Sequence, residues 1–555
     1  MSEPKEPRGI QKLTEAEKAA ILSTIAPVVK GLSVVGICAY GSQIAGYARA
    51  DSDYDLIIAV TDYRERIRYA YLSGEVEASA LLIDGNLLLR DAEKATLGEF
   101  AVGRFLNVYE PISGAEYFEK VEGMYKRRVA LEVIAELVGD YGDFSKNLVI
   151  PVEYLLYQKL KKRAAIYPPA LYSYARTYSS ESGKQNLEFS CSGFFKPLEE
   201  LGSKALISLE DGTIRITGAS TKSQLARLQA LLATTERSVR QYAAHGYAGR
   251  VKIGVVRKEL LSKISRSREV SNVPEPLKKP NGLLRLSDGI LIMDGKNWLK
   301  HLLQKLAFGE NVEVSTKKVG GPYALLQEYR ISEGDRSVRL AVKKYRDLKS
   351  VKWVLLNVWT ASSRKFEITP LARLHREYVA LRDFRKAEID VPEVIAVVGP
   401  SRILVTSFID GIDLGTMARE VLANRRVDLS PIGMYGKALA RVHSLGYALG
   451  DAKPNNALLS NSHICLTDLE QARVGGDRAW DLSVFIYYSL KLSTNGKSSR
   501  DFVRTFLEGY LEGGSREIVS ASLKAKYYEP FFPIVAPNVV LAARDEISKV
   551  LSKTS

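Results

Sequence analysis

Cysteine, histidine and long apolar runs are all scarce in this chain. It has 3 cysteines and 5 histidines among 555 residues. Cys38, Cys191 and Cys465 lie far apart, without the paired spacing of a zinc site or a redox motif. That pattern excludes a disulfide framework and fits a reducing cytoplasm. Cys38 and Cys465 sit in apolar, strand-like runs and read as small core residues. The histidines form no ligand cluster. No apolar stretch reaches the roughly 18 residues that a membrane span needs, so no membrane partner is expected. Met1 to Gln11 is polar, holds two prolines and lacks an apolar centre, unlike a secretory signal. A frayed tail over 1–12 is expected. Neither an internal repeat nor a long low-complexity tract is present.

What is there is a large, basic, globular sequence. At roughly 150 residues per domain, its length calls for three or four units. Hydrophobic residues make up 46% and charged residues 26%, the balance of a globular protein. Lys and Arg outnumber Asp and Glu by 79 to 64, a net charge of +15. Such an excess favours polyanions, with nucleic acid ahead of an anionic surface.

Residues 13–120 read as mixed α/β. A helix is expected from Thr14 to Lys30, and strands at Val34–Tyr40, Tyr54–Val60 and Val76–Asp84. Residues 121–264 read as mainly helical, with amphipathic segments at Val129–Leu137 and Glu153–Lys162. A hairpin is expected around Asp211-Gly212, joining Ile207–Leu209 to Thr213–Thr217. Leu225, Leu228, Leu232, Val239 and Tyr242 mark one face of a further helix. Its other face carries Lys222, Arg227, Arg237 and Arg240, which suits either a phosphate backbone or water. The stretch 265–282 contains Pro274, Pro276 and Pro280 and reads as a linker. Residues 283–555 run from strand-rich to helix-rich.

Two groups of carboxylates carry chemistry. The first is Gly41-Ser42 after an apolar strand, followed by Asp53-Tyr54-Asp55 heading the next. Glycine allows close backbone approach, and the Ser hydroxyl and free N–H groups suit phosphate oxygens. Asp53 and Asp55 are two apart on a strand, so both point to one face and can share Mg²⁺ (or Mn²⁺). With Tyr40-Gly41-Ser42-Gln43 eleven residues ahead of Asp53, this resembles the nucleotidyltransferase superfamily of DNA polymerase beta and CCA-adding enzymes. The resemblance implies an NTP substrate, Gly41 and Ser42 at its phosphates, and Asp53 and Asp55 as catalytic metal ligands. It also implies a third carboxylate on a neighbouring strand. Glu77 is favoured for that place, and Asp84, on the opposite pleat parity, is the alternative.

The second group is Gly450-Asp451-Ala452-Lys453-Pro454-Asn455-Asn456, then Thr467-Asp468-Leu469-Glu470. Asp468 follows Asp451 by seventeen residues. A helix, a polar loop, two short strands and an Asp resemble the catalytic segment of protein-kinase-like folds. The resemblance implies that Asp451 handles the acceptor hydroxyl and that Lys453 steadies the transferred phosphoryl. It gives Mg²⁺ to Asn456 and Asp468. Upstream, Lys343 (or Lys344) would contact the ATP phosphates and Glu377 would pair with it. Gly320-Gly321 would cover the phosphates, Leu404–Gly411 would hold adenine, and Asp481 would tie down the catalytic loop. Asp-Phe-Gly, a long activation segment and the usual His before Asp451 are missing. These departures resemble compact atypical kinases: RIO kinases, lipopolysaccharide kinases and the kinase-ATPase of the KEOPS tRNA-modifying complex. His443 is expected to anchor or pack rather than act as a base.

The expected fold is α/β and α+β multidomain. It comprises a nucleotidyltransferase domain (13–120), a helical middle (121–264), a linker (265–282) and a bilobal kinase-like domain (283–555). The expected function is a cytoplasmic bifunctional enzyme using ATP and another NTP, with RNA or tRNA as the leading acceptor. The alternatives are a self- or protein-modifying pair and a non-catalytic RNA-binding assembly factor.

Overall fold

A computed structural model describes residues 12–50, 52–168, 170–217, 273–319, 326–346, 367, 369–425, 428–491, 493 and 496–553. The Gly320-Gly321 loop and the basic helix face over 222–242 lie outside the described residues. The chain divides into two compact units: Met1–Tyr141 with Ser145–Ser287, and Gly142–Phe144 with Asp288–Ser555.

The first unit opens with helix α1 (Glu15–Val29). Thr14 and Glu17 form a reciprocal capping box there, so two otherwise orphaned N–H groups are satisfied. Five strands follow: β1 (Val34–Tyr40), β2 (Tyr54–Val60), β3 (Ile67–Ser73), β4 (Glu77–Asp84) and β5 (Tyr109–Ser113). They form one mixed sheet in the order β3-β4-β2-β1-β5, with β2 and β4 parallel. Leu56–Val60 and Leu81–Ile83 are almost fully buried. These central strands therefore read as continuous apolar runs, as expected when both faces are covered.

Helix α2 (Ser42–Ala45) is a single turn after β1, and helix α3 (Gly85–Lys94) follows β4. Helix α4 (Ala115–Tyr141) then runs for 27 residues. Its Phe118 is fully buried and stacks on Phe105 at 5.8 Å between ring centroids. The boundary expected after residue 120 thus falls inside α4, and the helical middle belongs to the same compact unit as the sheet. Helix α5 (Val152–Ile166) packs on α4 through a buried ionic cluster. Glu99 lies 2.8 Å from Arg128, 2.6 Å from Lys159 and 2.9 Å from Arg163. Glu132 completes it, at 2.9 Å from Arg128 and 2.7 Å from Lys159. The expected hairpin is present, as Ile207–Glu210 and Thr213–Ile216. Asp211 (φ 46°) and Gly212 (φ 70°) both take positive φ, as a tight hairpin turn requires.

Another correction concerns the linker. The described residues 273–282 are packed rather than extended. Leu277 and Pro280 are buried, and Arg285–Leu286 pairs with Leu148–Val149. The division between units falls after Ser287.

The second unit begins with a six-stranded sheet. Its strands are β6 (Ile290–Ile292), β7 (Glu313–Val319), β8 (Leu326–Glu333), β9 (Arg336–Lys344), β10 (Val394–Val398) and β11 (Ile403–Ser407). Their order is β6-β10-β11-β9-β8-β7. A core of Ile292, Leu302, Ile331, Leu340, Val342, Val398 and Val405 holds this part together. Helix α6 (Pro370–Lys386) lies between β9 and β10 in sequence, with Leu374, Tyr378, Leu381 and Phe384 buried. The remainder is mainly helical, with a short β-hairpin (Ala457–Ser460, His463–Leu466) set among the helices. No helix among the described residues is long and apolar enough to cross a membrane.

Candidate active sites

In the first unit, β1 ends at the Gly41-Ser42 turn. Gly41 has φ 83°, and a Cβ there would stand 2.2 Å from Asp55 Oδ2. Only glycine leaves room for the carboxylate at this point. Gln43 Nε2 donates to the carbonyl of Ser52 at 2.9 Å, so the turn is tied to the segment that leads into Asp53. Tyr40 pairs with Asp55 across the antiparallel ladder, and Asp55 with Ser79 across the parallel one. Continued by one residue, that register sets Asp53 beside Glu77. Glu77 is exposed and accepts a hydrogen bond from Ser73 Oγ. Asp53, Asp55 and Glu77 do not converge within 4.8 Å as a ligand trio. Asp84 is excluded from this face, because it caps α3 by accepting from Leu87 N at 2.9 Å.

Arg104 was not legible as part of this site. Its Nε donates to Tyr40 Oη at 2.8 Å and its Nη2 to Tyr69 Oη at 2.5 Å. Burial disfavours its charge, but the two phenols and Asp55 keep its pKa raised.

In the second unit, β9 delivers Lys343 and α6 delivers Glu377, 2.7 Å apart. Lys344 is exposed one pleat out of phase, and Lys343 is the lysine that meets Glu377. Lys343 Nζ also lies 2.5 Å from Asp468 Oδ1 and 3.1 Å from Glu470 Oε2. Tyr345 donates to Glu377 at 2.5 Å, and Arg373 pairs with Glu470 at 2.8 Å. Glu377, Asp468 and Glu470 each place one oxygen within 4.8 Å of the others. Burial opposes the ammonium of Lys343, yet Asp468 and Glu377 hold its pKa well up. Burial likewise opposes ionisation of Asp468, and Lys343 more than offsets it, leaving that carboxyl below its usual range. Glu377 goes the other way, raised mainly by burial.

The catalytic-loop residues come together around one anchor. Asp481 is fully buried and accepts from Leu449 N and Gly450 N, both at 2.6 Å. His443 stands 3.2 Å from Asp481 and 2.8 Å from Tyr510 Oη, an anchoring role. Trp480 Nε1 donates to the carbonyl of Gly450 at 3.3 Å. Beyond this fixed backbone, Lys453 Nζ lies 2.9 Å from the Asp451 carboxylate. Asn456 Nδ2 donates to the Asp451 carbonyl at 2.8 Å, so its oxygen end is the one a cation could use. With the carboxylate of Asp468, which is 44% exposed, that gives hard oxygen donors suited to Mg²⁺.

Sequence reasoning missed Arg373, Tyr345 and the partners of Glu470. The four residues Thr467–Glu470 do not reveal a partner almost a hundred positions earlier. An i,i+4 Arg and Glu on one helix face, Arg373 and Glu377, was the available signal.

No family model matches the chain. A stretch of 88 residues is 39% identical to the probable serine/threonine-protein kinase BUD32 homolog of Archaeoglobus fulgidus. The match takes in 15% of this chain and 44% of that protein, so the chain spans less than half of the relative's length. Among solved structures, WaaP in complex with acyl carrier protein is similar at 13% identity. It covers 47% of this chain and 98% of its own, with a TM-score of 0.27. The partial relative supports a kinase-like region in this protein.

Proposed function

We propose that the second unit uses ATP and moves its γ-phosphoryl group to a hydroxyl or to water. The observation that carries this reading is Lys343 held between Glu377 at 2.7 Å and Asp468 at 2.5 Å. In this reading Lys343 binds phosphate oxygens while Glu377 and Tyr345 keep it aligned. The acceptor oxygen attacks the γ-phosphorus, its proton passes to an Asp451 carboxylate oxygen, and ADP leaves with the electrons of the broken P–O bond. Lys453 balances charge at the moving phosphoryl. Asn456 and Asp468 would hold Mg²⁺, which supplies charge neutralisation at the phosphates when bound. Gly320 and Gly321 are assigned to cover those phosphates.

A second reading applies to the first unit, and the close approach of Gly41 to Asp55 favours it. There an acceptor hydroxyl attacks the α-phosphorus of an NTP and pyrophosphate leaves. Gly41 and Ser42 would hold phosphate oxygens, and Asp53 and Asp55 would hold the metal. Glu77 would serve as the third carboxylate only if its side chain turned from Ser73. The net charge of +15 supports RNA or tRNA as acceptor. One experiment tests both readings: purified protein with total RNA and each NTP, labelled at the α- or γ-phosphate. Asp53→Ala should abolish α-label incorporation and spare ATP consumption. Asp451→Ala should do the reverse. If either change removes both activities, two independent sites are ruled out.

A further inference from the structure

Three of the four residues from Asp468 to Gln471 reach helix α6, the chain leading into it, or the lysine that α6 holds. Asp468 pairs with Lys343, the lysine held by Glu377 of α6. Glu470 accepts from Arg373, one helical turn before Glu377, and remains 3.1 Å from Lys343. Gln471 makes two bonds to the backbone of a single residue: it accepts from Glu367 N and donates to Glu367 O, both at 3.0 Å. Glu367 in turn organises the start of α6. Its carboxylate accepts from Thr369 N at 3.1 Å and from Arg376 Nη2 at 3.0 Å. Arg373, Glu470 and Gln471 are all buried, and Leu469 between them is 2% exposed.

We propose that Glu470 and Gln471 are positioning residues. They clamp α6 to the Asp468 segment and hold the Lys343–Glu377 pair assembled without a long activation segment. The inference rests on the ATP-using reading of this site. Its logic is one of surviving contacts. When a nucleotide draws Lys343 and a cation draws Asp468, both lose part of their mutual pairing. Glu470 also faces Lys343 and stands near Asp468, but its Arg373 partner and the two Gln471 bonds to Glu367 lie outside that group, so the helix stays fixed while the ligands exchange. Reacting groups displaced by about 1 Å lose about a hundredfold in rate, so such a clamp would act on turnover.

The test is a double-mutant cycle on the full chain with Glu470→Gln, Arg373→Gln and the pair. It reads kcat, KM for ATP and the fraction of protein that binds nucleotide. We expect Glu470→Gln to lower kcat at least tenfold per binding-competent molecule, with KM for ATP changed less than threefold. The double variant should be no worse than the poorer single one, and Arg373→Lys should recover most of the Arg373→Gln loss. If Glu470→Gln does not fold, Gln471→Met removes both bonds to Glu367 at similar volume and is read the same way. A normal kcat per binding-competent molecule would overturn the clamp and leave the ATP reading standing. Absence of ATP turnover by the unsubstituted chain would overturn both.

Discussion

Asp481→Asn isolates the anchor under the catalytic loop. The carboxylate is fully buried and takes two backbone N–H groups at 2.6 Å, with His443 at 3.2 Å. Asparagine has the same shape but only one acceptor oxygen. One of the two N–H groups, Leu449 or Gly450, must then face an amide NH₂. A charge-assisted bond is worth about 1.5–3 kcal/mol, and an orphaned buried donor costs about as much. Some relaxation is expected, so about 3 kcal/mol is a reasonable total. For a unit of this size each kcal/mol moves Tm by roughly 2–4 °C, giving a fall of about 6–12 °C. The assay is well matched to the chain. All 4 tryptophans (Trp298, Trp353, Trp359 and Trp480) belong to the second unit's part of the sequence, so their fluorescence follows its unfolding. Trp480 even bonds to Gly450. Because Gly450 sits at φ 76° directly before Asp451, ATP turnover should fall at least tenfold as well. A variant that melts within about 1 °C of the parent and keeps its turnover would refute the anchoring argument.

Two further outcomes bear on the first unit. Gly41→Ala would drive a Cβ to 2.2 Å from Asp55 Oδ2, at φ 83° and ψ −155°, a backbone region that costs a non-glycine residue about 1–3 kcal/mol. It should abolish α-phosphate chemistry and leave ATP consumption intact; normal incorporation would remove Asp55 from the site. Glu99→Gln leaves Arg128, Lys159 and Arg163 short of their shared carboxylate, and breaking a buried pair costs about 3–5 kcal/mol. Burial raises the Glu99 pKa, but Lys159, Arg128 and Arg163 outweigh it and hold the carboxyl far below the usual carboxylate range. A depressed folded pKa means stability that is complete above the unfolded value and lost as pH falls through the folded one. The gap between Glu99→Gln and the parent, followed by chemical denaturation, should therefore be full at neutral pH and shrink progressively below about pH 5. A gap independent of pH would show that folding leaves the Glu99 pKa unshifted, against the three-cation pairing.

What could be read from the sequence divides along contact distance. Strands β1 and β2 were legible to the residue, and α1 to within one residue at each end, because their signals are local: a helical period after Thr14, and apolar runs ending at turns. Strands β3 and β5 were not. β3 is an edge strand that buries only Ala70, and β5 contains Pro111, which weakens a strand pattern. The linker reading relied on prolines and overlooked Leu277, whose burial needs partners from distant elements. Helix α4 was split because its first turns looked like the end of one domain.

The same division explains the unequal reading of the two sites. Asp451, Asn456 and Asp468 lie within eighteen positions, so their spacing itself describes a loop and a hairpin. Lys343 and Glu377 were reachable because each sits on an element with a readable period. Glu470 had no such support: its meaning comes from Arg373, on a helix 97 residues earlier, and from Lys343 on a strand further back. A carboxylate buried beside a lysine and an arginine is costly to maintain unless the charges stay paired. That expense argues against Glu470 as an incidental surface acid. The turnover of Glu470→Gln therefore decides whether this part of the site is built for catalysis or only for packing.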